Sequence, residues 1–406
     1  GSEMCIRDRF DQVAIREEGG DAPFMKRVEQ AWTTGADVTA WSELLDGEGM
    51  AEARQLAESL VAFAGARATR QIDSVSQERL QRFMPRLLGE VIRSDRPVRA
   101  LSRTLGIVEG ILRRSAYLSL LNENHGALAR LVVLCGRSNY IADQIGRYPA
   151  LLDELLDPRL FSERVTRADI AAELEERLAH ESGDSEERMR AIAAFQRATM
   201  FRIAVADFNG LLPIMKVSDG LTWLAEVVLE EALRVAWGEL AERHGVPRYT
   251  ANGVEREAGF GIIAYGKLGG LELSYGSDLD IVFLHDSQGP RQSTDGDKPL
   301  DNALFFSRLV RRLTHFLTTQ TGSGQLYEID TRLRPEGNKG LLVTNTEAFE
   351  RYQEANAWTW EHQALLRARP VAGSQAIAAE FDRIRRDTLM HLSLIHISEP
   401  TRPRLV

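Results

Sequence analysis

The sequence predicts an α+β fold, predominantly helical, in which a mixed sheet backed by helices follows a long helical stretch. Apolar residues keep helical spacing through the first part of the chain, as at Leu101, Leu105, Val108 and Leu112 and again at Leu128, Leu131, Val132 and Cys135. Beyond them the pattern changes to short apolar runs, Ile262-Ile263-Ala264 and residues 279–284, with a glycine turn between. A helical pattern at Phe306, Leu309, Val310, Leu313 and Phe316 then precedes alternation at Tyr327, Ile329, Thr331 and Leu333. Strand, helix and strand in that order favour a mixed sheet with helices against it.

Residues 10–100 read as helices with polar connections, for example 50–64 and 77–92, the second with a kink expected at Pro85. Arginines at 82, 86 and 93 read as a solvated helix face. Gly136, Pro149 and Pro158 punctuate the helices that follow, and Cys135 falls at a core position with no basic neighbour to activate it. Two longer helices are expected at 187–208 and 221–244, the latter with Ser218 or Asp219 as its N-cap and Trp223 and Trp237 as core aromatics. Residues 246–259, polar and glycine-bearing, read as a loop leading towards the sheet, and 287–299 as a second loop. A strand at 327–333 ends in a turn at Pro335-Glu336-Gly337. Residues 346–369 read as one helix, with Trp358 and Trp360 in the core and His362 a packed histidine.

At 406 residues, the chain is long enough for two or three domains, and 44% hydrophobic with 27% charged residues is ordinary globular composition. A formal net charge of −9 argues against a nucleic-acid partner, which calls for a basic footprint. Two cysteines, Cys5 and Cys135, exclude a disulfide framework and a cysteine-rich metal site. No apolar run reaches the roughly 18 residues of a membrane span, so no membrane partner is expected and the setting predicted is cytoplasmic.

The chemistry gathers between residues 261 and 286. Asp278 and Asp280, at the start of the second apolar run, alternate onto one strand face, their Cβ atoms roughly 6–7 Å apart. Unpaired anions so close repel one another, and a divalent cation is their natural partner. Upstream, Gly266, Gly269 and Gly270 let the backbone come close to a ligand and present N–H groups to phosphate oxygens. A glycine-rich turn alone is a common strand ending, and an Asp-x-Asp alone is a common cap. In this order and this close, they point to a magnesium nucleotide.

Gly266, eleven intervening residues and Asp278-x-Asp280 resemble the signature of the polymerase-β-like nucleotidyltransferase superfamily. The longer string is similar to the glutamine synthetase adenylyltransferase family, as are Tyr327-Glu328-Ile329-Asp330-Thr331-Arg332-Leu333-Arg334-Pro335 and Ala357-Trp358-Thr359-Trp360-Glu361-His362-Gln363-Ala364-Leu365. That resemblance implies a polymerase-β-like core at 251–390, preceded by a helical region of the same catalytic half at 101–250 and a helical linker at 10–100. Residues 1–9 and 391–406 read as foreign, since both are similar to translated sequencing-adapter sequence, and on that reading the chain is a fragment of a longer protein.

The resemblance also implies a third acid on a neighbouring strand. Asp330 is the candidate, although the residues alone equally allow it to be a simple partner of Arg332. Asp278, Asp280 and Asp330 would then be the catalytic and metal-holding residues, sharing two Mg²⁺ ions roughly 3.5–4 Å apart, with ATP as substrate. Asp330 would also help take the proton from a tyrosine phenol, whose ordinary pKa is about 10. Lys267, Arg332 and Arg334 would offset charge on the phosphates, Arg334 alternatively capping the turn at Pro335, and Ser277 would either donate to a phosphate or cap the strand. The implied reaction is AMP transfer from ATP to a tyrosine of glutamine synthetase, with glutamine and the PII signal protein as regulators. Trp358-Thr359-Trp360-Glu361-His362 resembles the adenylylating half. The same acids would serve phosphorolytic removal of AMP, and a nucleotide-binding module without catalysis is the remaining alternative.

Overall fold

A computed structural model describes residues 22–157, 166–179, 185–289 and 292–398. The chain divides into two compact units, one drawn from Gly1–Arg164 with Met200–Pro213, the other from Val165–Thr199 with Ile214–Val406. Residues 1–9, read above as foreign sequence, lie outside the described residues, whereas the backbone of 391–398 continues the last helix.

The first unit is helical: α1 (Ala22–Thr34), α2 (Val38–Asp46), α3 (Ala53–Gly65), α4 (Arg67–Arg70), α5 (Ser74–Ile92), α6 (Pro97–Ile111), α7 (Ser115–Glu123), α8 (His125–Arg137) and α9 (Asn139–Arg147), then a 3₁₀ segment, Pro149–Leu156. Starts are set by side-chain caps. Asp37 accepts the Ala40 N–H, Asp73 the Ser76 N–H and Ser138 the Ile141 N–H, satisfying donors that a helix leaves without an internal partner. Helix α5 runs through Pro85, which is itself buried. The apolar stripes meet in one core that includes Leu56, Phe83, Leu101, Val108, Leu128 and Val132. Cys135 belongs to this core, and burial pushes its thiol up to about 12, which suits packing and not nucleophilic work.

The second unit begins with α10 (Arg167–Ala179), α11 (Ser185–Phe208), which passes into the first unit at Met200, and α12 (Ile214–His244). Helix α12 starts ahead of the expected Ser218 or Asp219 cap. Those residues lie inside it, with the Asp219 carboxylate paired to Lys216 Nζ at 3.0 Å. The polar stretch after α12 is a hairpin and not a loop: β1 (Pro247–Ala251) and β2 (Val254–Glu257) are joined by Asn252 and Gly253, both at positive φ. That two-residue Asn-Gly turn matches the twist of a hairpin. Part of the second expected loop is likewise a strand, β5 (Gln292–Thr294), which pairs with β1 to complete a three-stranded sheet.

A five-stranded sheet forms the interior of the unit. Its strands are β3 (Phe260–Ala264), β4 (Leu279–His285), β6 (Ile329–Asp330), β7 (Val343–Asn345) and β8 (Arg369–Gly373). Strand β3 lies between β8 and β4, antiparallel to both, and the far edge of β4 is shared by β6 and β7, both parallel to it. Every residue of β3 is buried, as expected of a strand covered on both faces. On one face, Ile263, Val282 and Leu284 pack with Phe349, Leu365, Ile377 and Phe381. These last come from α15 (Thr346–Ala355), α16 (Thr359–Leu365) and α17 (Gln375–Ser398), which follow α13 (Gly266–Gly269) and α14 (Asn302–Thr318) in the chain. On the other face, Phe260 stacks on Phe283 and on Phe306 of α14.

Two expectations change here. The strand read at 327–333 contracts to the two residues of β6, because the Tyr327 N–H turns away to the Leu317 carbonyl and the Arg334 N–H closes a turn on Thr331. The helix read at 346–369 is two helices and a strand, broken where the N–H groups of Asn356 and Ala357 both close on the Tyr352 carbonyl. Trp358 and Trp360 are consequently outside the core, 68% and 53% exposed. His362 does pack, its Nε2 at 2.9 Å from the Gln353 carbonyl.

His285, the last residue of β4, stacks on Phe306 at 4.5 Å and accepts the Ser287 N–H on Nδ1. Burial depresses its pKa from 6.5 to about 4, so the fold favours the neutral ring. Its contribution to stability is present above pH 6.5 and is lost as the pH falls towards 4. Denaturant melts across that range should show the wild type losing up to about 3 kcal/mol more than His285→Gln, which keeps an acceptor without the titration. Parallel pH profiles for the two proteins would reject this account of His285.

Candidate active site

The site is built where β4 begins. Residues 278, 280, 282 and 284 alternate onto one face of the sheet, and the helices cover that face at Val282 and Leu284. Asp278 and Asp280 stand beyond the apolar cover, Asp278 exposed and Asp280 half-buried. Parallel pairing sets Leu279 beside Ile329 and Asp280 beside Asp330. In-register neighbours point to the same side, so a third carboxylate joins the pair. One oxygen from each of Asp278, Asp280 and Asp330 lies within 4.8 Å of the others.

Their environments differ. Burial pushes the Asp280 carboxyl up, the negative charges of Asp278 and Asp330 push it further, and Arg332 and Lys267 oppose them. Asp330 is held below its ordinary value by Arg332, whose Nε donates at 2.7 Å and whose N–H donates at 2.8 Å, with a second guanidinium nitrogen on the same carboxylate. Asp330 is thus at once a partner of Arg332 and a member of the acidic cluster. The donor set, three carboxylate oxygens with one acid destabilised by the other two, fits a hard divalent cation.

The glycine turn explains its own composition. Gly266 has φ +54°, and a Cβ there would sit 2.1 Å from Asp280 Oδ2. At Gly269 a Cβ would meet the Arg367 carbonyl oxygen at 2.0 Å, and at Gly270 the Arg367 Nε at 2.9 Å. The close approach at these glycines is to the protein's own groups: the Asp280 carboxylate, the Arg367 carbonyl and the Arg367 guanidinium. The N–H groups of Gly269 and Gly270 close the turn on the carbonyls of Tyr265 and Gly266, so the earlier N–H groups, of Gly266, Lys267 and Leu268, are the ones that no carbonyl of the turn takes.

The other residues singled out from the sequence are placed as follows. Lys267 is exposed and near enough to Asp280 to favour its charged form. Arg332 is 72% exposed beyond its pair with Asp330. Arg334 is buried, its guanidinium donating to the Thr331 carbonyl at 2.8 Å and the Thr331 hydroxyl at 2.9 Å, with its Nε left without a partner. Ser277 belongs to a local turn, its Oγ 2.9 Å from Ser274 Oγ and accepting the Ser274 N–H. Arg369 and Glu226, which no spacing in the sequence connects to the turn, reach it from β8 and α12. Arg369 donates to the carbonyls of Leu268 and Gly269 and pairs with Glu226.

Comparison with known proteins adds independent findings. The family model described as "Glutamate-ammonia ligase adenylyltransferase" matches residues 128–384. A protein of Thioalkalivibrio sulfidiphilus named bifunctional glutamine synthetase adenylyltransferase/adenylyl-removing enzyme is 47% identical over 392 residues, covering 95% of this chain and 40% of the relative. Its namesake in Pseudomonas putida is 49% identical over 363 residues, covering 88% and 36%. The chain therefore spans well under half the length of these curated relatives.

Gly266→Ala should displace the Asp280 carboxylate and weaken Mn²⁺ binding, read by electron paramagnetic resonance, by about tenfold or more. Gly276→Ala provides the comparison, because Gly276 shares the positive φ but a Cβ added there would have nothing within 4 Å. It should carry a strain of roughly 1 kcal/mol and little change in Mn²⁺ affinity. Equal Mn²⁺ affinities in the two variants would show that the close approach of Gly266 does not place Asp280.

Proposed function

Because the chain belongs to the glutamate-ammonia ligase adenylyltransferase family, we propose that it carries the centre that moves AMP from ATP to a tyrosine of glutamine synthetase. The observation that supports this most strongly is the gathering of Asp278, Asp280 and Asp330 within 4.8 Å, beside a turn with no room for a Cβ at Gly266 or Gly269. Three acids gathered at the mouth of a strand can hold the ions that a metal-dependent phosphoryl or nucleotidyl transfer uses. In this reading, Asp278, Asp280 and Asp330 hold Mg²⁺, which when bound screens the triphosphate and favours the ionised form of the attacking phenol.

The remaining work falls to the protein's own groups. The phenol oxygen bonds to the α-phosphorus, the bond from that phosphorus to the bridging oxygen of the β-phosphate breaks, and pyrophosphate leaves. Asp330, kept ionised by Arg332, receives the phenol proton. As an acid with a depressed pKa it is a weak base, so its main contribution is orientation of the hydroxyl. Arg332 is exposed enough to exchange Asp330 for a phosphate oxygen at little desolvation cost, and Lys267 faces the same space. Gly266, Lys267 and the turn through Gly269 and Gly270 form the phosphate side of the site, with Ser277 beside Asp278. Arg334 acts from below, fixing the Thr331 carbonyl that follows Asp330.

The family resemblance extends the proposal to the complete protein: a cytoplasmic enzyme controlled by glutamine and the PII signal protein. Among the described residues no helix is long and apolar enough to cross a membrane. The names of the relatives include removal of AMP as well as its addition. Direction is separable by experiment.

Incubation with glutamine synthetase and ATP labelled at the α-phosphate should place label on a tyrosine of the acceptor. Asp278→Asn and Asp280→Asn should each lower the rate by about a thousandfold. Undiminished transfer in either variant would refute the assignment of the acids, while phosphate-dependent release of label from adenylylated glutamine synthetase, with none added from ATP, would assign the reverse reaction.

A further inference from the structure

Gly266 abuts Asp280, so whatever fixes the turn also bears on the position of that carboxylate. The turn's far end is held from outside its own strand. Arg369, at the start of β8, lies beside Ala264, the last residue of β3. Its side chain extends past the strand end, where Nε donates to the Gly269 carbonyl at 3.1 Å and Nη2 to the Leu268 carbonyl at 3.0 Å. The same Nη2 is 2.5 Å from Glu226 Oε1, on α12. Glu226 is buried, and its other oxygen accepts from Arg167 Nε at 3.0 Å. Arg167 in turn pairs with Glu230 one helical turn along.

We propose that Arg369 is a positioning residue for nucleotide binding, a fork that registers the glycine turn against the buried anchor Glu226 and through Gly266 sets the place of Asp280. The inference rests on the nucleotide site described above. A guanidinium suits the task because its planar donors hold the two carbonyls in fixed directions while its charge lies against the Glu226 carboxylate. An ammonium is a single charged point on a flexible stem and can serve the carboxylate or the carbonyls, not the whole set. Glu226 orients the fork, since a carboxylate so deeply enclosed requires a cation at close range. A burial pattern built only for stability would have no need to end on the two carbonyls of a turn whose first residue touches the acidic cluster.

The test uses the 406-residue chain, α,β-methylene-ATP with Mg²⁺ as probe, calorimetric titration well below the melting temperature, and a separate thermal melt. Arg369→Lys retains the charge next to Glu226 and should melt close to the wild type. It should nevertheless bind the analogue about tenfold or more weakly, a split that a purely structural role would not give. Glu226→Gln leaves the fork in place without its anchor and should weaken binding to a smaller extent. Wild-type affinity in both variants would overturn the clamp while leaving the site intact. A folded wild-type chain that takes up no analogue would overturn the site and the clamp together.

Discussion

The site in the second unit depends on the repulsion among three carboxylates at one end of a strand. In-register pairing of Asp280 with Asp330 puts two acids side by side on one face, and Asp278 follows at the next position on that face. For a half-buried pair near 5 Å the repulsion is of the order of 3 kcal/mol at the effective dielectric of a protein surface. Such a cluster persists only where the surrounding structure over-determines it. Here the strand is covered on both faces from Ile281 onward, so the backbone of β4 cannot yield to relieve the charges.

The relief is distributed unevenly, and that unevenness gives the acids different characters. Arg332 grips Asp330 through the backbone and the guanidinium, lowering its pKa. Asp280 has only through-space help from Arg332 and Lys267, and burial plus its two neighbours raise its pKa. Divergent environments for adjacent carboxyls are a recurrent mark of working sites. Asp280 is also the acid pressed against Gly266, so a carboxyl whose charged form burial and two neighbouring acids disfavour is held sterically as well.

The sequence carried the elements of this site more faithfully than their setting. Asp278, Asp280 and the glycines were legible because strand alternation and turn chemistry are local rules, and the position of Asp330 became legible only through resemblance, since pairing of β6 with β4 is a long-range event. The hairpin of β1 and β2 was legible in principle: Asn252-Gly253 is a strong turn signal, and its flanks, rich in charge, obscured the strands. The break between α15 and α16 had no comparable signal. Apolarity alone assigns Trp358 and Trp360 to the core, whereas the turn at Asn356 and Ala357 starts α16 with its first residues outward. Arg369 and Glu226 were beyond reach because an ion pair between a helix and a strand so distant in sequence leaves no periodicity behind it.

The shortness of β6 is the remaining feature that the acidic cluster accounts for. A longer β6 would run along the whole of β4 and carry Arg332 and Arg334 up the covered part of the sheet. Ending the strand at Asp330 turns the chain back at the mouth, where the Arg334 N–H closes on the Thr331 carbonyl and its guanidinium locks the same residue. Arg332 is thereby left beside Asp330, with most of its side chain in solvent. The freed length of β4's edge, from Phe283 to His285, is taken up by β7. One edge therefore serves two ends. Its first half presents acids and a solvent-facing guanidinium to a ligand, and its second half, sealed by β7 and the aromatic stack on His285, resists the charge gathered ahead of it.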